Sequence, residues 1–229
     1  MALFAAGDLH LSLGTDKQMD MFGGGWNNYV KKISSGFSVL SENDVCVLCG
    51  DLSWGMDFEE ARDDFCFIND LPGKKIILKG NHDYWWTTAS GIYAFFGREG
   101  IKNIEILHNN CVFYGETAVC GTRGWFFEEE KGTGHDRKIM QREIGRLETS
   151  LKAAEGRKKF VFLHYPPKYG DYECAGILEL FERYEVPVCC YGHLHGAGLR
   201  YAFRGTHRGT EFIPVSVDLL GFKPEKILD

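Results

Sequence analysis

The chain has 229 residues, of which 44% are hydrophobic, 25% charged and 14% aromatic, and its formal net charge is −6. These proportions exclude a disordered, collagen-like or fibrous protein, and a chain of this size buries roughly 70–75% of its unfolded surface, enough for a sizeable core without covalent staples. The acidic surplus weighs against a general nucleic-acid binder, which is ordinarily basic, and it would repel an anionic ligand unless something local reverses the field.

In chain order, short apolar runs alternate with helical patterns, the signature of an α/β fold. Leu3 to Ala6 reads as a first strand, after which Trp26, Tyr29, Ile33, Phe37 and Leu40 recur at helical spacing. Val45 to Cys49 is a buried strand, and Phe58, Ala61, Phe65 and Ile68 mark a second helix ended by Leu71-Pro72-Gly73. A strand over Lys75 to Leu78 precedes a helix from about Thr87 to Phe96. Ile104 to Thr122 has no helical period and several short apolar runs, which reads as a β-meander. Between Arg123 and His135, three glycines flank Trp125-Phe126-Phe127 and the solvated run Glu128-Glu129-Glu130, the pattern of a long loop of the kind that carries specificity residues. Met140, Ile144, Leu147 and Leu151 give an amphipathic helix, and strands follow at Phe160–Leu163, Val186–Tyr191 and Phe212–Val217, with a helix near Ile177–Tyr184. No repeat or linker interrupts the pattern, so residues 1–229 are expected to form a single domain.

Eight cysteines sit mostly in apolar segments such as Val45-Cys46-Val47-Leu48-Cys49, where free cysteine behaves as a small buried hydrophobe. Cys46 and Cys49 have C-x-x-C spacing, but positions i and i+3 of a strand point to opposite faces, so core packing is expected there. Met1 to Ala6 lacks the basic region of a secretory signal, and no stretch reaches the roughly 18 apolar residues of a membrane span. A cytoplasmic protein with no membrane partner is the expectation.

One design recurs at the strand ends: an apolar strand, a glycine, then polar residues of metal-binding type. It appears as Gly7-Asp8-Leu9-His10, Gly50-Asp51, Gly80-Asn81-His82-Asp83 and Gly192-His193-Leu194-His195, while Leu163-His164-Tyr165-Pro166-Pro167 lacks only the glycine. Ligands of open α/β sheets bind beyond the carboxyl ends of strands, and residues i and i+2 of an extended segment face the same way. Asp8 with His10, and His193 with His195, can therefore each aim two donor atoms at one point. Singly, such residues are common turn formers. Together, buried carboxylates and imidazoles cost several kcal/mol each unless paired or metal-bound. Carboxylate, imidazole and amide oxygen without thiolate suit Mn, Fe or Zn.

These motifs, D-x-H, G-D, G-N-H-D, a lone H and G-H-x-H in that order, resemble those of the calcineurin-like metallophosphoesterase superfamily. The resemblance runs from Asp8 to His195. It implies a four-layer α/β/β/α sandwich with two central mixed β-sheets. It also implies two divalent metal ions, manganese first, with Fe, Zn or Ni as the other candidates. By position, Asp8, His10 and His195 would hold the first metal, Asn81, His164 and His193 the second, and Asp51 would bridge them. His82 would stand beside the metals as a general acid, with Asp83 as the carboxylate that orients it and keeps it cationic. Two metals so placed would clamp a phosphoryl oxygen and provide a bridging hydroxide, with no covalent intermediate.

The substrate is less legible. Protein phosphatases of the superfamily carry arginine after the second motif and before the third, whereas here Asp51 is followed by Leu52-Ser53-Trp54-Gly55 and Lys79 stands before Gly80. The sequence is more similar to small phosphohydrolase branches. Arg123 is the candidate phosphate-binding cation, since arginine suits bidentate contact. Tyr84-Trp85-Trp86 could stack a planar group or fill the core, and His108, His135 and His207 read as surface or structural, with His135 and His207 candidate mouth residues. The leading expectation is hydrolysis of a phosphomonoester or phosphodiester in a small phosphorylated substrate. The alternatives are a nuclease, which the acidic charge and missing basic stripe disfavour, and a non-catalytic interaction module, which would be expected to lack ligands.

Overall fold

The computed structural model describes residues 1–17, 19, 23–126 and 133–229. The first half of the chain gives β1 (Leu3–Ala6), α1 (Tyr29–Phe37), β2 (Val45–Leu48), α2 (Arg62–Asp70), β3 (Lys74–Ile77), α3 (Ala89–Glu99), β4 (Ile104–Ile106), β5 (Cys111–Tyr114) and β6 (Thr117–Thr122). The second half gives α4 (Gly134–Ala153), β7 (Lys158–Leu163), the hairpin of β8 (Lys168–Tyr169) and β9 (Tyr172–Glu173), α5 (Ala175–Arg183), β10 (Val188–Tyr191), β11 (Gly205–His207), β12 (Thr210–Pro214) and β13 (Glu225–Leu228).

Two large mixed sheets form. In the first, β1 to β4 lie side by side in parallel, with β13 antiparallel on the outer edge of β1. In the second, β12, β10, β7 and β6 are parallel, and β11 and β5 add antiparallel edges. Alternation along the strands stacks the layers. Leu3, Ala5, Val47, Ile76, Leu78, Val119, Phe160, Phe162, Cys190 and Ile213 form one buried cluster between the two sheets. The alternate residues Phe4, Ala6, Cys46, Leu48 and Ile77 turn outward onto α1, α2 and α3 through Ile33, Phe37, Phe65, Ile68, Ile92 and Phe95. Ala118, Cys120, Val161, Leu163 and Cys189 turn outward onto α4 and α5 through Leu147, Leu151, Ile177 and Phe181. This is the four-layer α/β/β/α sandwich. All eight cysteines are free.

Local chemistry fixes the helix ends. Thr88 caps α3 by accepting from the Gly91 N–H at 3.1 Å, and Thr133 and Asp136 form a reciprocal capping box at α4. The ammonium of Lys75, fully buried, donates to the carbonyl of Asn69, in the last turn of α2 where the helix leaves carbonyls without partners, and to those of Leu71 and Gly73 just past it.

The expected meander over Ile104 to Thr122 is corrected: β4 pairs with β3 in the first sheet, whereas β5 and β6 form a hairpin in the second. The chain crosses between layers at His108–Asn110, where Asn109 has a left-handed φ of 60° and the Asn110 carbonyl accepts from Ser150 Oγ of α4. Short apolar runs do not encode which sheet they join. The second helix starts at Arg62, with Phe58 packed against the core from the preceding turn. The edge strands β11 and β13 and the β8–β9 hairpin are too short or too polar to stand out by alternation.

Candidate metal centre

The parallel strands of both sheets end on one side of the sandwich. Asp8 follows β1, Asp51 follows β2, Asn81 and His82 follow β3, His164 follows β7, and His193 and His195 follow β10. A parallel bridge between Gly7 and Ser216 joins the two sheets there, with the Val217 N–H donating to the Gly7 carbonyl at 3.0 Å. The turns are tight. Asp8, His10, Asp51 and His193 all have positive φ, between 46° and 69°, a conformation that costs a non-glycine residue about 1–2 kcal/mol. A Cβ at Gly80 would lie 2.1 Å from Asp51 Oδ1, and one at Gly192 2.8 Å from Asp8 Oδ2, so only glycine lets these turns close on the carboxylates.

Asp8, Asp51 and His164 are fully buried and offer ligand atoms within 4.8 Å of one another. Asp51 Oδ1 accepts the His82 N–H at 2.7 Å, while Oδ2 lies 3.5 Å from His164 Nε2 and 3.8 Å from His10 Nε2. That oxygen therefore stands between two imidazoles from opposite sheets. Asp8 is held by the His193 N–H, 3.0 Å from each of its oxygens. On the other flank, Asn81 Oδ1 lies 2.6 Å from His164 Nε2 and 3.0 Å from His193 Nδ1. His164 Nδ1 lies 3.0 Å from the Cys49 carbonyl, which accepts its proton and leaves Nε2 as a lone pair facing the amide oxygen. His195 closes the group, its ring 5.1 Å from that of His10.

The donor set fits divalent metal. Both ring nitrogens of His10 are buried without a hydrogen-bond partner, a costly state that a ligated cation relieves. Burial pushes His164 down to about 3, burial and then the His164 ring push His193 to about 3, and burial, then His195, holds His10 well below its ordinary value. These rings are neutral, the form that ligates. Burial and the neighbouring Asp51 charge raise the Asp8 carboxyl well above the usual range, and burial raises Asp51. Two carboxylates enclosed with neutral imidazoles need a cation to stay ionised.

Asp83 departs from expectation. Its buried carboxylate accepts from the backbone N–H groups of Asp51, Leu52 and Gly80 at 2.9, 2.9 and 2.6 Å, and from the Trp85 indole at 3.1 Å. It staples the turn after β2 to the turn after β3 and does not pair with the His82 ring; burial and then the Asp51 charge raise it to about 6. His82 Nδ1 lies 3.2 Å from the Tyr84 hydroxyl, and burial lowers His82, so the expected carboxylate that keeps it cationic is replaced by a phenol.

Trp85 is core, packed edge-on against Phe65, and takes no part in stacking a ligand. Trp54, which the spacing did not single out, stacks on His10 at 4.9 Å, lies 4.5 Å from the His82 ring and carries Lys17 Nζ 3.3 Å over its face. Arg123 is half-buried beside the centre: its carbonyl accepts the N–H groups of His164 and Tyr165, and its guanidinium lies 4.8 Å from the Trp125 ring and 3.8 Å from Glu143. It lines a cavity of about 470 Å³ with Lys79, Trp86, His108, His135 and residues of α4. His108, expected at the surface or in a structural role, is exposed and lines this cavity. Phe127 and the run Glu128-Glu129-Glu130 lie outside the described residues.

A family model described as calcineurin-like phosphoesterase matches residues 1–197. The chain belongs to that family. As a calcineurin-like phosphoesterase it falls among hydrolases that act on phosphoester bonds, and membership implies divalent metal ions, for which the buried Asp8–Asp51–His164 group is present. Among solved structures, it is similar to a phosphopantetheinyl hydrolase from Mycobacterium tuberculosis, with a TM-score of 0.63 and 13% identity over 99% of this chain and 95% of that one. It is also similar to the protein TT1561 of Thermus thermophilus, with a TM-score of 0.55 and 13% identity over 99% and 97% of the two chains. At these identities the likeness concerns the fold alone. No curated protein matches the sequence. No helix among the described residues is long and apolar enough to cross a membrane.

Proposed function

We propose that this calcineurin-like phosphoesterase hydrolyses a phosphomonoester or phosphodiester of a small molecule at a two-metal centre, with the whole chain serving as one domain. The observation that carries the reading is the placement of Asp51 Oδ2 between His10 and His164, the arrangement a bridging carboxylate requires. Asp8, His10 and His195 would hold one cation and Asn81, His164 and His193 the other. When bound, the two cations supply Lewis acidity toward phosphoryl oxygen and an activated water nucleophile. Mn is the first candidate, and Fe, Zn and Ni suit the same donors.

The chain's own residues do the rest. The His193 and His82 N–H groups fix the carboxylates of Asp8 and Asp51, and Asp83 fixes the turns that carry Asp51 and Asn81. The His82 ring, supported through Nδ1 by Tyr84 and packed on Trp54, moves a proton to the leaving oxygen from its other nitrogen. Trp54 also covers the face of His10 and keeps water from it. Arg123, whose carbonyl holds the His164 N–H, is the candidate cation for a phosphate group of the substrate.

The test is a panel of phosphomonoesters and phosphodiesters assayed with Mn, Fe, Ni, Zn or Mg and with chelator. Hydrolysis restored by at least one metal and abolished by chelator is expected. Comparable turnover with chelator present would overturn the reading.

A further inference from the structure

The cavity beside the metal centre concentrates more positive charge than one phosphoryl group at the metals needs. Lys79, Arg123, Arg142 and Arg146 line it, with a single carboxylate, Glu143. Glu143 is fully buried and already committed: Thr122 Oγ1 donates to one of its oxygens and Arg146 Nη1 to the other, each at 2.5 Å. Three formal positive charges remain over, in a chain whose net charge is −6. Lys79 and Arg142 have no hydrogen-bond or ion-pair partner among the described residues. Arg123 is only loosely tied to Glu143, at 3.8 Å, and its Nε is buried without a partner. Thr88 and Ala89, at the N-terminus of the 11-residue α3, complete the wall and add the positive end of a helix. The crowding of charge is also felt by His108 on the cavity wall, held below its ordinary value first by burial and then by Arg146.

The cavity adjoins the metal centre through shared backbone. Lys79 stands two residues before Asn81, a span of at most about 7 Å. The Arg123 carbonyl holds the His164 N–H at 3.2 Å. The two sites are thus neighbours at both Lys79 and Arg123. We propose that the cavity is a second phosphate subsite, so that the substrate is a small organic molecule with two phosphate groups, one presented to the metals and one gripped by Lys79, Arg123, Arg142 and Arg146. The surplus charge exceeds what one carboxylate would neutralise and matches a phosphate dianion, whose oxygens accept forked contacts from arginine. A cavity of about 470 Å³ roofed by α4 suits one group of a small molecule, and a polymer would need an open track instead. The proposal rests on the reading of the metal centre as a phosphohydrolase site.

Titration calorimetry of the Mn-loaded protein tests it, using alkane bisphosphonates of increasing methylene length against ethylphosphonate. Methylene bisphosphonate stands for a diphosphate and the longer members for a bisphosphate. At least one bisphosphonate is expected to bind about ten-fold or more tighter than ethylphosphonate, and Lys79→Gln or Arg142→Gln should each shrink that advantage about ten-fold, the scale of one charge-assisted contact. If no bisphosphonate outbinds ethylphosphonate, or the advantage survives both substitutions, the subsite is overturned. A protein that prefers bisphosphonates yet hydrolyses no phosphoester keeps the subsite and loses the hydrolase reading. One that hydrolyses monoesters with no such preference loses the subsite alone.

Discussion

Asp8, His10, Asp51 and His193 hold left-handed backbone within one pocket, and both nitrogens of His10 lie buried and unpaired. Strain and missing partners concentrate where ligands are held, because the surrounding fold over-determines positions that would relax elsewhere. Asp51→Asn keeps the shape but removes the charge that two cations share; it is expected to lose metal and nearly all hydrolysis, read by metal analysis beside the assay. His82→Ala should retain metal while turnover falls by about 10²–10⁴, the usual scale for a lost general acid, and loss of metal in that variant would make His82 a ligand instead. The proposed ligands stand out in the sequence as polar residues just past apolar runs, most with a glycine before them; the extended alternation expected to aim Asp8 with His10 and His193 with His195 is replaced by left-handed turns at Asp8, His10 and His193, and His193 faces Asn81 while His195 faces His10. The partners of Asp83 and His82 were not legible, since backbone N–H groups and a neighbouring hydroxyl leave no pattern in the sequence. Trp54 was equally hidden: one tryptophan in a turn reads the same whether it fills the core or covers a ligand.

The parallel strands bring those residues together. Leu3–Ala6, Val45–Leu48, Phe160–Leu163 and Val188–Tyr191 were readable as strands because they are continuous apolar runs, buried on both faces. What could not be read was the switch between sheets after β4, which depends on a left-handed Asn109 and on a serine from α4. Phe162, at the centre of the interface between the sheets, is fully buried. Phe162→Ala should cost about 3–5 kcal/mol in chemical denaturation, the range for a buried phenylalanine. At the entry to the first sheet, Asp44 accepts the N–H groups of Ala2 and Ser41 and the Ser41 hydroxyl, which hold its carboxyl down to about 2 against an ordinary 3.8. Its folded value is depressed, so its stabilisation is complete above pH about 4 and is lost as pH falls toward about 2. Denaturation of Asp44→Asn across that window should show a shallower acid loss than the parent protein.

Across the whole molecule, net charge proves a poor guide to the ligand. The chain carries a net −6, yet the strand ends gather imidazoles and two carboxylates, and the adjoining cavity gathers lysine and arginine. Family membership follows from a match over residues 1–197, and the four layers follow from alternation that sends successive strand residues to opposite clusters. In the proposed centre the pocket holds two cations bridged by Asp51. Equilibrium dialysis against manganese, with metal counted per chain, tests it most directly. Two ions per chain in the parent protein are expected, and at most one in Asp51→Asn; a parent protein that saturates at one ion, or an Asp51→Asn variant that still binds two, would contradict it.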